Sequence, residues 1–375
     1  MSKTLLCFTN SFGYGPSGSL RSLLAHLAPH WQGDIYVFSS RATQTLFADL
    51  PENIKWQEVN ERHELTLQKN IEKHPNAYVI SSLNRFALSA AKKAKRPIVF
   101  FDSLAWMWPQ IPSSYLQADR YYCYDMPGVE DKISSLSPED RKKAVILPWI
   151  TRRIQANSSK KGPPLFYCGG LKNPYQSEIL QKAYSKITAH LVKTFNSKKR
   201  PVIATDIESQ SIYKKYLPDD WPVKDLPHKD FLSTLQSTES AFVTSGFNIS
   251  KECLVYKVPY AHLLPTNYSQ WQQLQLFEEQ GLAYGLHWQN YCSDFCCEKA
   301  STLSEKEFIK FLAPIAKKVS NDELLLLKIS EDLKSLTLKT NELVTSRENY
   351  LKKQNKVRKT NFLEDLDDLW GFLEK

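Results

Sequence analysis

The sequence predicts an α/β protein of two Rossmann-like domains. Three observations carry that expectation. Short runs rich in β-branched and aromatic residues alternate with longer amphipathic stretches, the alternation breaks once near residues 150–164, and a glycine turn follows the first strand on each side of the break. At 375 residues, 42% hydrophobic and 24% charged, the chain is long and apolar enough for two buried cores.

The first half reads as strands at "TLLCFTN" (4–10), "DIYVFSS" (34–40), "IKWQEV" (54–59), "YVISSL" (78–83), "PIVFFDS" (97–103), "RYYCYD" (120–125) and "AVILPW" (144–149). Helical patterns such as Leu20, Leu23, Leu24 and Leu27 lie between them, which implies a parallel sheet covered on both faces. "ITRRIQANSSKKGPP" is polar and ends in Gly-Pro-Pro, so it reads as a linker. The strands resume at "LFYCGG" (165–170), "PVIATD" (201–206), "WPVKDL" (221–226), "AFVTSG" (241–246), "YAHLLP" (260–265) and "LAYGL" (282–286). From Ser304 the pattern is helical, with pairs such as Glu331 and Lys334 at i,i+3. The expected division is an N-terminal domain over 1–152, a linker over 153–163, a second domain over 164–303 and a helical extension over 304–375.

The formal charge of +9 favours anionic ligands, but the basic residues are scattered. The densest stretch, "KKQNKVRK" (352–359), reads as a solvated helix face, and no nucleic-acid partner is expected. Neither a signal peptide nor a run approaching ~20 apolar residues is present, so the expected location is the cytoplasm, without a transmembrane segment. Seven cysteines, mostly isolated, suit a reducing compartment. His287, Cys292, Cys296 and Cys297 cluster in "HWQNYCSDFCCEK", yet no distant second pair completes a tetrahedral site, and buried thiols are the simpler reading. No metal or other cofactor is expected.

After the first strand, Gly13, Gly15 and Gly18 give a G-x-G-x-x-G spacing that opens a helix. The second strand ends in serines followed by Arg41 and lacks the acid that would hold a dinucleotide ribose, which disfavours NAD. Tight packing is the alternative role for these glycines. The second half has its own turn, Gly169-Gly170 in "YCGGLKNP", with Lys172 just beyond.

The segment "TSGFNISKECLVYKVPYAHLLPTNYSQWQQLQLFEEQG" (244–281) resembles the donor-binding region of GT-B glycosyltransferases, especially the MurG and UDP-glycosyltransferase branch. The resemblance covers about residues 164–290 and is looser before them. It implies two Rossmann-like domains facing across a cleft, a nucleotide-sugar donor that is UDP-linked, and a small-molecule or glycan acceptor. It places Ser245 and Gly246 at the small turn, Glu252 on the ribose, and Gln270 and Gln273 on the donor sugar. "VKDLPHKDFLSTL" matches the family's base-contacting loop and puts Leu226, Pro227 and His228 near the uracil. Gln273 stands where that family commonly has Asn, and Phe247 and Asn248 also depart from its pattern. "FGYGPSGSLRSLL" further resembles the N-terminal turn of cytosylglucuronate synthases, which implies cytosine as one candidate acceptor.

These residue types suit the chemistry. A carboxylate accepts from two vicinal ribose hydroxyls, and glutamine amides read sugar hydroxyls without adding charge. For Glu252 the alternative is an acid favoured by a helix dipole; for the glutamines it is exposed helix surface. Departure of the diphosphate calls for amide dipoles, for which Gly15, Gly18, Gly169, Gly170, Ser245 and Gly246 are candidates. The base is expected from the first domain, with Asp102 first and Asp125 second, each of which could instead cap the next segment. His26 and His30 rank lower. Trp106, Met107 and Trp108 could stack an acceptor or simply pack. A UDP-sugar hydrolase, a 2-epimerase and an inactive GT-B scaffold are the other functions this pattern allows.

Overall fold

The computed structural model describes residues 4–10, 12, 14–48, 51–147, 149, 162–169, 171, 173, 175, 177–343, 346–350 and 367–374. Gly13, Gly170, Lys172 and the basic stretch 352–359 lie outside them. The chain divides into two units, Met1–Arg152 with Gln354–Lys375, and Arg153–Lys353.

Unit 1 runs β1 (Thr4–Thr9), α1 (Gly15–Leu27), β2 (Ile35–Ser39), β3 (Ile54–Glu58), α2 (Glu64–Glu72), β4 (Ala77–Ser82), α3 (Arg85–Lys93), β5 (Ile98–Asp102), β6 (Arg120–Tyr124), α4 (Val129–Ser134), α5 (Pro138–Lys143) and β7 (Ala144–Leu147). The sheet is wholly parallel, ordered β3-β2-β1-β4-β5-β6-β7. All six residues of β4 are buried, as a central parallel strand covered on both faces requires, whereas edge strand β3 exposes Lys55, Gln57 and Glu58.

Strand order reverses between β1 and β4, and the loops after these strands are tied together there. Asn84 caps α3 by accepting from Phe86 N and Ala87 N, and donates to the carbonyls of Thr9 and Glu61. Asn10 donates to Leu83 O at 2.7 Å, and Ser82 Oγ to Pro16 O at 2.9 Å.

Unit 2 runs β8 (Leu165–Tyr167), α6 (Glu178–Thr194), β9 (Val202–Ala204), α7 (Ile207–Tyr213), β10 (Val223–Lys224), α8 (His228–Ser237), β11 (Ala241–Val243), α9 (Phe247–Val255), β12 (Tyr260–His262), α10 (Tyr268–Glu279), α11 (Cys297–Ser301), α12 (Glu305–Ser320) and α13 (Glu323–Lys339). Its parallel sheet is ordered β10-β9-β8-β11-β12, with the reversal between β8 and β11.

One expectation meets a different structure. "LAYGL" (282–286) adds no strand: it touches β12 through the single bridge His262–Gly285. Gly285 gives its N–H to the Glu278 carboxylate, and a Cβ there would fall 2.5 Å from Leu274 Cδ1 and 2.7 Å from His262 Cβ. Close approach, rather than a ladder, explains this segment. α12 and α13 pack on α6 and share its apolar core through Leu312, Ala316, Ile329 and Leu333. The last described helix, α14 (Asp367–Glu374), belongs to unit 1, where Phe372 meets the Tyr78 ring edge-on at 5.9 Å and lies under Arg120. No helix among the described residues is long and apolar enough to cross a membrane.

Candidate functional site

The carboxyl ends of a parallel sheet, at its reversal of strand order, are where open α/β folds bind ligands. In unit 2 that point lies beside the turns after β8 and β11. Gly169 follows β8, and a Cβ there would fall 2.5 Å from Tyr167 Oη and 2.6 Å from its Cζ. Glycine is demanded because the Tyr167 ring folds over it, so packing accounts for this glycine directly. After β11, buried Ser245 precedes Gly246, the N-cap of α9, which supplies no side-chain oxygen to the helix.

Glu252 is the sixth residue of α9, past its first turn, so the helix dipole does not account for the acid. It is buried, and one carboxylate oxygen lies 3.4 Å from Nε2 of His228. Among the described residues no donor reaches the other oxygen. His228 is the first residue of α8, after N-cap Pro227, and its Nδ1 is buried without a hydrogen-bond partner among the described residues. Residues 24 apart in sequence are thus brought into one polar pair.

The two glutamines differ. Both are buried on α10, not exposed on its surface. Gln270 spends its side chain on neighbouring loops: Oε1 accepts from Thr266 N and Thr266 Oγ1, both at 2.9 Å, and Nε2 donates to Gly169 O at 3.3 Å. Its own carbonyl accepts from Ser245 Oγ at 2.8 Å. Gln270 therefore knots together the turns after β8, β11 and β12. Gln273 Nε2 is buried with no partner among the described residues.

Three residues here went unnoticed in the sequence. Tyr167 lies near the carboxylates of Glu252, Asp206 and Asp225, and burial pushes its phenol well above the usual range. Burial, then the neighbouring Asp206, raises the Asp225 carboxyl. Lys251, beside Glu252, is almost wholly buried, with Nζ 5.3 Å over the Phe247 ring and 3.4 Å from Asn248 Oδ1. Burial pushes its ammonium down to about 8, partly countered by Glu252. A charged residue on the face of α9 that turns inward was the available signal for Lys251.

In unit 1, Gly15 is the first residue of α1 and Gly18 lies within its first turns. A Cβ on Gly15 would meet nothing within 4 Å, so tight packing does not explain that glycine. Asp102 ends β5 and is fully buried. One oxygen accepts from Leu104 N at 2.7 Å; the other accepts from Trp108 Nε1 at 2.9 Å and Tyr121 Oη at 2.8 Å. Burial pushes its carboxyl up to about 6, against the pull of those donors and of Lys132. Both Asp102 oxygens are thus engaged in ordering the loop that carries Trp106, Met107 and Trp108. Asp125 follows β6 and is half-buried, its carbonyl accepting from Trp149 Nε1. His26 lies in the last turn of α1 and His30 is exposed beyond it. Glu61, absent from the sequence-based candidates, is a buried acid at the carboxyl side of the sheet, where Oε2 accepts from Ser40 N.

The cysteine-histidine segment holds no metal cluster: among the described residues no group of three metal-ligating side chains forms. His287 instead pairs with Glu278 at 2.8 Å, while Cys296 and Cys297 are exposed.

No protein-family model matches this chain, and no curated protein matches it. Solved structures do. UGT2 of Phytolacca americana, complexed with UDP-2-fluoro-glucose and pterostilbene, is 12% identical with a TM-score of 0.56, over 99% of this chain and 100% of that one. A UDP-glucosyltransferase from Polygonum tinctorium capable of glucosylating indoxyl is 13% identical with a TM-score of 0.57, over 100% and 99%. A putative UDP-N-acetylglucosamine 2-epimerase from Listeria monocytogenes is 10% identical with a TM-score of 0.50, over 91% and 96%. At such identities the likeness is one of fold: two parallel α/β units, each Rossmann-like and consistent with the GT-B fold, with C-terminal helices.

Proposed function

We propose that this chain is a glycosyltransferase that moves a sugar from a UDP-linked donor to a small-molecule acceptor. The observation that carries the reading is the buried Glu252, held on one oxygen by His228 and undonated on the other among the described residues, beside the start of α9, which has no side-chain cap there. The fold shared with UDP-sugar proteins supports it. On this reading the open carboxylate oxygen accepts from the ribose hydroxyls, and the loop around Pro227 and His228 faces the base. The amides opening α9 at Gly246 oppose the charge that develops on the departing diphosphate, with no call on a metal. Gln270 shapes the donor pocket through the loops it ties, and Gln273 is the glutamine with an amide to offer the sugar. The acceptor and its base belong to unit 1, where Asp125 and Glu61 are the acids to test.

Ligand-induced thermal stabilisation is the direct test. UDP and UDP-sugars are expected to raise the melting temperature of the wild type and to lose that effect in Glu252→Ala, while GDP and CMP do neither. A folded Glu252→Ala variant with undiminished UDP stabilisation would sink the assignment. Acceptor screening should include cytosine, the candidate implied by the N-terminal glycine turn.

A UDP-sugar 2-epimerase or hydrolase is the second reading, favoured by the acids Asp206 and Asp225 near Tyr167. Turnover of UDP-N-acetylglucosamine without any acceptor would select it.

A further inference from the structure

The start of α10 is secured from a distance. Glu305, the first residue of α12, reaches across to it: Oε1 accepts from Tyr268 N at 2.9 Å and Oε2 from Ser269 N at 3.3 Å. The next amide, Gln270 N, is taken by the N-cap side chain of Asn267 at 2.9 Å. Glu305 is not needed by its own helix, because Ser304 and Glu307 already form a capping box at the start of α12. Its carboxylate is thus directed wholly at α10, where negative charge complements the helix dipole and three otherwise orphaned amides are satisfied. Immediately beyond that turn comes Gln270, whose carbonyl and amide tie Ser245, Thr266 and Gly169.

We propose that Glu305 is a positioning residue of the donor half-site, fixing through the first turn of α10 the three loops that follow β8, β11 and β12. The proposal rests on the nucleotide-sugar reading above and deepens it. A residue of the C-terminal helices, 36 positions after Ser269 and touching none of the donor-site loops by its own hydrogen bonds, sets their spacing. Burial pushes the Glu305 carboxyl up to about 7 while the two amides pull it back, as expected for an acid kept in place for its contacts and not for solvation. Removing the carboxylate keeps the helix but frees its first turn, and the loops lose their common anchor.

The test is UDP binding by calorimetry on the full chain, for wild type, Glu305→Ala and Glu305→Asp, with thermal melts to establish folding. Loss of the cap is expected to weaken UDP binding about tenfold in Glu305→Ala. Glu305→Asp, which keeps the charge on a shorter arm, is expected to recover part of that loss. Hydrogen exchange at the Tyr268 and Ser269 amides should quicken in Glu305→Ala and slow again in Glu305→Asp. A folded Glu305→Ala variant that binds UDP like the wild type overturns the proposal, as does Glu305→Asp binding no better than Glu305→Ala. Should Glu305→Ala not fold, Glu305→Asp decides: affinity about threefold weaker supports the role, and unchanged affinity overturns it. Wild type that ignores UDP removes the donor reading and this proposal together; wild type that binds while the variants match it removes only this one.

Discussion

Arg347 lies with its guanidinium 4.4 Å from the centre of the Tyr260 ring and donates from Nη2 to the carbonyl of that same residue at 3.2 Å. Its Nε donates to Leu282 O at 2.8 Å. One buried side chain thus holds the start of β12 and the turn after α10. Arg347→Ala would leave two carbonyls without donors and is expected to cost roughly 2–3 kcal/mol in denaturant unfolding. The Tyr260 hydroxyl, by contrast, is buried with no partner among the described residues. Tyr260→Phe keeps the ring under the guanidinium and is expected to leave stability unchanged or raise it by up to about 1 kcal/mol.

His262 gives the chain an acid-side weakness. It is fully buried, with Nε2 2.8 Å from Ser250 Oγ, and burial pushes its imidazole down to about 3. The folded pKa is depressed, so the unfolded chain takes up a proton near pH 6.5 that the folded chain refuses. The resulting stability is fully present above that pH and drains away as pH falls toward 3. Between pH 7 and pH 5 this residue should remove about 2 kcal/mol. Unfolding curves at both pH values, for wild type and His262→Asn, should show a shallower pH dependence in the variant; equal slopes would contradict the account.

A substitution at Asp102 distinguishes a structural acid from a catalytic one. An asparagine there presents a donor amide to Trp108 Nε1 or Tyr121 Oη, both of which are donors in the present structure. Asp102→Asn is therefore expected to lose roughly 2–3 kcal/mol of stability, read as a lower melting temperature. A variant that melts like wild type yet loses transfer activity would support Asp102 as the base.

Gly169 is expected to tolerate no side chain while Tyr167 stays in place. Gly169→Ala should cost about 1–3 kcal/mol and weaken UDP binding. Most of the stability cost should vanish in a Tyr167→Ala background, because the three atoms nearest to the added Cβ all belong to that ring. A double-mutant cycle in melting experiments checks this directly.

The strands of both sheets were legible because central parallel strands must be apolar on both faces, and runs such as Ile98–Asp102 and Arg120–Tyr124 declare themselves. "LAYGL" has the same composition but lies where Gly285 must press against His262, which composition cannot report. The types of residue gathered beside the turns after β8 and β11 were legible too, since Ser245-Gly246 and Glu252 fall on one short segment. What each side chain contacts was not. Gln270 has the right chemistry for a sugar, but it is committed to Thr266 and Gly169, the latter 101 residues away. Asp102 ends a strand as a catalytic acid would, yet one of its donors comes from β6, 19 residues on. Glu305 acts on the first turn of α10, 36 and 37 residues before it, from a region whose pattern spoke only of helices.

Unit 1 draws its residues from both ends of the chain, with Phe372 of α14 covering Tyr78 and Arg120. On the ribosome the first sheet can assemble early, but this covering helix is translated only after the whole of unit 2. At ordinary rates of synthesis the nascent first unit waits roughly tens of seconds with that face bare. Chaperone demand during translation should therefore centre on the surface around Tyr78, and carboxyl-terminal fusions that hinder the docking of Leu369 and Leu373 should lower soluble yield more than amino-terminal ones.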